Sequence, residues 1–502
     1  MMKSKKLFPL LLAALMTAQT VSCGGSTAGG QSGTPSGDTT MPADTSAAEN
    51  VPAILSQGLN FGGETVTFLY RTDNVSEFYV EEATGDIVDD ALFASRQKVE
   101  EGLNVKFEIL SRIGTSPTDR TEYLNHVAQT VMSGDNAYDW VDAMAANFHV
   151  LIQQGVLADL GENKHIDFTA PWWNGGLAEE TTLDGGLYYL VGDFSLGYLK
   201  DTFCIYYNKD VAAACGITDL NEIVQSGGWT VDKMIELSKK AAADVNGDGK
   251  YEYEDKLGFV VHDLFHLCGF IASTDTKMFA KTGDEWAYSF GSERDFAVVE
   301  KLNKLLVGTE GNFLFKGWRT STDYIEDYNR LTAKFIAGDV LFMTAQMNDA
   351  VTDLRDMKSD YGILPFPKHD DKQASYAATS RTTHSAVGMP ITCENYDMAG
   401  AVIEAIAAVN HELVIPTYYE LALKVKYSRD DESAAVYDLI LDNTTLAFGY
   451  LYQGTVALSP VDIFNAGVQD PTTFSSKLAA NKEANETKFA AFMDKVIENN
   501  KR

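Results

Sequence analysis

The sequence predicts an α/β fold in two lobes with a ligand cleft between them. Three observations lead there. Strand and helix patterns alternate through the first half of the folded body. The 502 residues are too many for one small core. The composition, 45% hydrophobic and 22% charged, has an ordinary globular balance.

The body begins near Leu59. Over 65–70, Val66, Phe68 and Tyr70 fall on one face at a period of two, which reads as a strand. Ile87, Ala91 and Ala94 follow at helical spacings of four and three, and Gly102 is expected to end that helix. Val105, Phe107 and Ile109 make a second strand, so the first unit is strand–helix–strand and its sheet is parallel. The pattern then repeats. Leu124, Val127 and Val131 mark a helix, 138–144 a strand, and Phe148, Leu151 and Ile152 a helix that stops at Gly155.

Residues 1–23 read as an address. Lys3, Lys5 and Lys6 precede an apolar run over 7–18, too short to span a bilayer, and small residues lead into Cys23. Thr20-Val21-Ser22-Cys23 resembles a bacterial lipobox, departing from it at Thr20, and makes Cys23 the expected site of lipidation. Residues 24–58 read as a flexible tether; the 24–50 stretch, rich in Gly, Ser, Thr, Ala and Pro, lacks the apolar surface to fold. The layout is that of a protein anchored to the cell membrane on its outer side.

The formal net charge is −31, and loss of the three leader lysines takes it to −34. Such a surface argues against nucleic acid or an anionic membrane face as partner. The five cysteines, at 23, 204, 215, 268 and 393, show no metal spacing, and no obligatory disulfide is expected.

Four further segments carry a family resemblance. They are 133–160, with the turn Gly155-Val-Leu-Ala-Asp-Leu160; Cys204-Ile-Tyr-Tyr-Asn-Lys-Asp210; Trp229-Thr-Val-Asp-Lys-Met234; and Phe335–Met343 followed by Tyr361-Gly-Ile-Leu-Pro-Phe-Pro-Lys368. In this order they resemble the bacterial extracellular solute-binding proteins of the maltose-binding type, family 1, the lipoproteins that feed ABC importers. The resemblance implies a periplasmic-binding-protein-like fold. Lobe one is expected at 59–205 plus 338–385 and lobe two at 206–337 plus 386–502, with crossings near 204–207, 334–339 and 384–390. It implies capture of a sugar or oligosaccharide and delivery to permease subunits, with the protein acting as a monomer. A peptide or polyol cargo, a secreted carbohydrate-active enzyme and a passive adhesin remain as alternatives.

The sharpest local motif is 244–255. Asp244, Asn246, Asp248, Glu252 and Asp255 stand at positions 1, 3, 5, 9 and 12 of a calcium-loop register, with Gly249 at 6 and the Lys250 carbonyl at 7. Asp255 replaces the usual glutamate. A structural calcium ion is expected.

Sugar sites combine aromatic faces with Asp, Asn, Gln and Arg side chains, beyond the carboxyl ends of strands. That rule selects Arg71, Asp73, Asn147 and Gln346 as ligand contacts; Trp140, on the strand before Asn147, and Arg381, in the polar run 379–384 that leads into an expected crossing, join them. Trp172, Trp173, Trp318 and Arg319 are added as loop platforms. Tyr450 and Tyr452 are weaker choices, and Trp229 is read as a structural staple. No nucleophile elbow, phosphate loop or zinc helix occurs, and His262 with His266 alone is a slight metal signal, so no catalytic residues are assigned.

Overall fold

Eleven strands lie among the described residues of the computed structural model, which are 52–261, 263–314, 324–427 and 431–501. They belong to one compact unit, 50–502. Strands β1 (Glu64–Arg71), β2 (Val105–Arg112), β3 (Trp140–Met144) and, much later in the chain, β11 (Ser385–Gly388) form a first sheet in the order β11-β3-β1-β2. β1 pairs in parallel with β2 and β3, as the βαβ pattern requires, and β11 closes the β3 edge antiparallel. The helices α1 (Ile87–Leu103), α2 (Pro117–Met132) and α3 (Phe148–Gln154) stand where the periodicity put them. α1 runs through Gly102 and ends instead on Asn104, whose φ of 51° places it in the left-handed region that asparagine tolerates.

A second sheet holds β4 (Phe203–Asn208), β5 (Leu257–Val261), β8 (Asn312–Leu314), β9 (Val340–Gln346) and β10 (Tyr361–Leu364), in the order β10-β4-β9-β5-β8. β6 (Phe279–Thr282) and β7 (Glu285–Tyr288) make a separate hairpin. This pairing corrects the expected partition. The stretch 338–385, assigned to lobe one, carries β9 and β10 in the second sheet. β9 sits at that sheet's centre, antiparallel to β4 and parallel to β5. Six of its seven residues are buried, and its backbone finds partners on both sides only there.

The segment from β11 through the next long helix moves the other way, whereas the helix Asp431–Asp442 packs on β10 of the second sheet. The long helix Tyr396–Tyr427, here the core helix, packs on α1, where Ser95 Oγ lies 2.5 Å from Asn410 Oδ1, and Ala399 O accepts from Trp140 Nε1 at 3.1 Å. It is apolar and long enough to cross a membrane, but 78% of its most apolar window is buried inside the fold. The chain therefore leaves the first sheet near Thr202 and returns near Ser380, and these two segments pair with each other through a Thr202–Ser380 bridge. No crossing occurs at 334–339, which joins the helix Tyr324–Ile336 to β9 within the second sheet's layer. Cys204, Cys215, Cys268 and Cys393 are free thiols.

Candidate functional site

A cleft of about 1350 Å³ opens beside the crossings. One wall is the loop over 168–176 with Gly192, Asp193 and Tyr198; the other is the segment 271–281 with Trp286, and 441–450 closes the end. The first wall is held tightly. Asp193 N donates to Trp172 O at 2.8 Å and Asn174 N to Val191 O at 3.1 Å. A Cβ on Gly192 would stand 2.3 Å from Trp172 O, so only glycine allows that approach.

The core helix braces this wall from behind. Trp173, 3% exposed, donates from Nε1 to Glu404 Oε2 at 2.9 Å. Trp172 turns its buried Nε1 toward the same carboxyl without reaching hydrogen-bond geometry. Burial pushes the Glu404 carboxyl up from 4.5 to about 7. About two helical turns later, His411 Nδ1 lies 2.6 Å from Asp193 Oδ2, with its ring 6.2 Å from that of Trp172. The hydrogen bond to Asp193 raises the His411 pKa. Aromatic surface also comes from Trp286, stacked on Phe448 at 3.7 Å, and from Tyr198.

Beside the cleft, the crossing segments gather a polar cluster. Arg381 N donates to Asp201 O at 2.9 Å, Gln346 Nε2 to Asp201 Oδ1 at 3.0 Å, and Thr383 Oγ1 to Asp201 Oδ2 at 3.1 Å. The Arg381 guanidinium lies 4.4 Å over the Phe265 ring, and its Nε is buried without a hydrogen-bond partner. Desolvation, helped by Glu77, pushes Asp201 up to about 6. Desolvation and the neighbouring acids carry Asp349 to about 7. Asn147, at the end of the turn after β3, has a buried and unpaired Oδ1. His384 keeps its Nδ1 on Arg381 O at 2.7 Å, and burial lowers its pKa to about 4, so the ring is neutral.

The predicted ligand residues divide accordingly. Trp172 and Trp173 line the cleft; Asn147, Gln346 and Arg381 stand at or beside the crossings. Arg71 is 1% exposed and fully committed: Nε meets Asp142 Oδ2 at 2.7 Å, and Nη2 reaches Asp142 Oδ1 and Ser385 Oγ. It ties β1, β3 and β11 together, which corrects its assignment as a ligand clamp. Trp140, wholly buried against the core helix, is likewise a core residue. Asp73 is exposed and takes a hydrogen bond from Thr115. Trp318, Arg319, His262 and Cys23 lie outside the described residues. Tyr450 lines the cleft; Tyr452 packs in the core beneath Phe448. Trp229 is the staple expected, buried with Nε1 on Pro365 O at 2.8 Å.

The 244–255 loop follows the helix Val231–Ala241 and leads into β5. Its oxygens bond to loop amides. Asp244 accepts from Gly247 and Gly249, Asn246 from Asp248, Asp248 from Lys250, and the buried Asp255 from Val245 and Glu252. Among the described residues, no group of three or more His, Cys, Asp or Glu side chains is placed to hold a metal ion.

Glu404, His411, Asp193, Glu180 and Trp286 escaped the sequence reading. Each is an isolated residue in an unremarkable stretch, and an acid inside the apolar run 398–409 was the only available signal.

The family model described as bacterial extracellular solute-binding protein matches residues 112–408. No curated protein matches. Among solved structures, the galacto-N-biose/lacto-N-biose I-binding protein of an ABC transporter from Bifidobacterium longum is 14% identical, with 87% of this chain and 98% of that one covered at a TM-score of 0.52. A sugar transporter from Rhizobium etli in an open conformation is 16% identical, with 86% and 99% covered at 0.55. A cyclic alpha-maltosyl-1,6-maltose binding protein from Arthrobacter globiformis is 13% identical, with 86% and 99% covered, also at 0.55. At these identities the likeness is one of fold.

Proposed function

Because this chain belongs to the bacterial extracellular solute-binding proteins, we propose that it captures a sugar or oligosaccharide in its cleft and passes it, unaltered, to the permease subunits of an ABC importer. One observation carries the reading. The cleft lies beside the segments that join the two sheets, and its walls carry indole and phenol rings, with Asn, Gln and Arg groups at the crossings close by. Flat rings suit the C–H faces of pyranoses and the polar groups suit their hydroxyls. A solute that touches both walls favours the closed arrangement by its differential affinity, and closure is what a permease can read. The glycans named for the Bifidobacterium and Arthrobacter structures support the same cargo class. Cys23, once acylated, and the tether hold the monomer on the extracytoplasmic face of the cell membrane.

The test is a thermal-shift screen of the leaderless chain against mono- and oligosaccharides, peptides and polyols, with product analysis. A saturable rise with one glycan class and no product supports the reading; a ligand at a hundred times its Kd contributes about 2.7 kcal/mol. Consumption of the glycan makes the protein an enzyme.

A structural calcium ion at Asp244, Asn246, Asp248, Glu252, Asp255 and the Lys250 carbonyl belongs to the same proposal. It requires those side chains to exchange loop amides for the cation, and the register of oxygens supports it. Titration with calcium by calorimetry, against Asp248→Ala, tests it: no heat above that variant's removes the site.

A further inference from the structure

The charge carried by the cleft points to a rule about cargo. Among the described lining residues, the cationic groups are Lys277, Lys281 and His411, and two of them are paired with a carboxylate. Lys277 Nζ lies 3.2 Å from Asp275 Oδ1. Lys281 Nζ donates to Glu179 O at 3.2 Å and sits 5.4 Å over the Trp286 ring. His411 is bound to Asp193. The carboxylates are in surplus. Glu180 Oε2 accepts from Phe448 N at 2.9 Å, and neither Glu180 nor Asp442 has an ion-pair partner among the described residues. Burial raises the carboxyls of both Glu180 and Asp193, a sign that negative charge is already costly on this wall.

Carboxylates are commonly gripped by the planar fork of arginine. No arginine lines the cleft among the described residues. Arg71 is locked onto Asp142, and Arg381 lies over Phe265 beside Asp201. An anionic cargo seated on this lining would therefore lose its hydration next to a surplus of like charges and find no arginine fork there to replace it.

We propose that the cleft admits uncharged and amine-bearing cargo and refuses carboxylate- or sulfate-bearing cargo, so that a uronic-acid glycan is excluded where its neutral counterpart is bound. The glycan part rests on the function proposed above; the charge rule applies to any solute in this cleft, and Glu180 is its main determinant.

The experiment is calorimetric titration of the leaderless protein with matched pairs. The pairs are neutral oligosaccharides with their uronate counterparts of the same linkage, and trilysine with triglutamate, at low and high salt. The neutral glycan is expected to bind at least about tenfold more tightly than the uronate, with the gap narrowing in high salt and in Glu180→Gln. A uronate that binds as well as its neutral pair overturns the charge rule and leaves the glycan reading standing. Trilysine as the ligand, with no glycan bound, keeps the charge rule and overturns the glycan reading. A neutral-to-uronate ratio unchanged in Glu180→Gln, with that variant's melting temperature intact, removes Glu180 from its role.

Discussion

Replacing Glu404 by glutamine should stabilise this protein at alkaline pH, against the usual effect of changing a buried, hydrogen-bonded residue. Glu404 is 3% exposed in a stretch of the core helix where Val402, Ile403, Ala405 and Ala407 are all fully buried. Burial lifts its carboxyl from 4.5 to about 7 in the folded protein. A carboxyl whose folded pKa is raised contributes fully below its unfolded pKa and loses that contribution as pH rises through the folded one. The window is thus about pH 4.5 to 7. At 1.36 kcal/mol per tenfold change in acid constant, the loss is at most ~3 kcal/mol. Glutamine is neutral throughout, fills the same volume and keeps a carbonyl for Trp173 Nε1. At ~2.1 cal/mol/K per residue of unfolding entropy, a folded body of about 450 residues converts that loss into a melting shift of about 3 °C. Wild type and Glu404→Gln should be melted side by side from pH 4.5 to 8.5 in one buffer series. The difference between the curves isolates this residue from the other buried acids, and the variant should gain on wild type as pH rises. Parallel curves, or a variant that falls further behind at high pH, would refute the argument that burial holds the carboxyl protonated.

Arg71→Met leaves the Asp142 carboxylate buried without its partner and should cost about 3–5 kcal/mol in urea unfolding; a loss of ligand affinity with stability unchanged would instead return Arg71 to the binding site. Gly192→Ala forces a Cβ to within 2.3 Å of Trp172 O, so it should displace the Trp172 wall and weaken cargo binding by about tenfold or more, read by titration. Trp229→Phe gives up the bond to Pro365 O away from the cleft, and should lower stability by about 1–3 kcal/mol with cargo affinity retained.

Much of the architecture was legible before any coordinates. Periodicity of two at Val66, Phe68 and Tyr70 and of three to four in α1 to α3 is set by which residues can face one core, and it placed those elements correctly. The end of α1 was misplaced because both Gly102 and Asn104 can stop a helix, and only the backbone at Asn104 adopts the left-handed turn. Family membership was readable because four short segments occur in a fixed order, and the order survives where identity does not. What the sequence could not decide was who meets whom. A strand such as β9 is apolar throughout, so its pattern says it is buried but not in which sheet; hydrogen-bond partners at β4 and β5, far away in the chain, settled that. Trp140 and Trp173 look alike on paper, yet one is sealed beneath the core helix and the other forms the cleft wall. Arg71 likewise reads as a free cation at a strand end until Asp142 is found beside it. Local periodicity and composition belong to the chain itself, whereas the pairing of a buried charge, or the face a ring presents, depends on residues brought together only by tertiary packing.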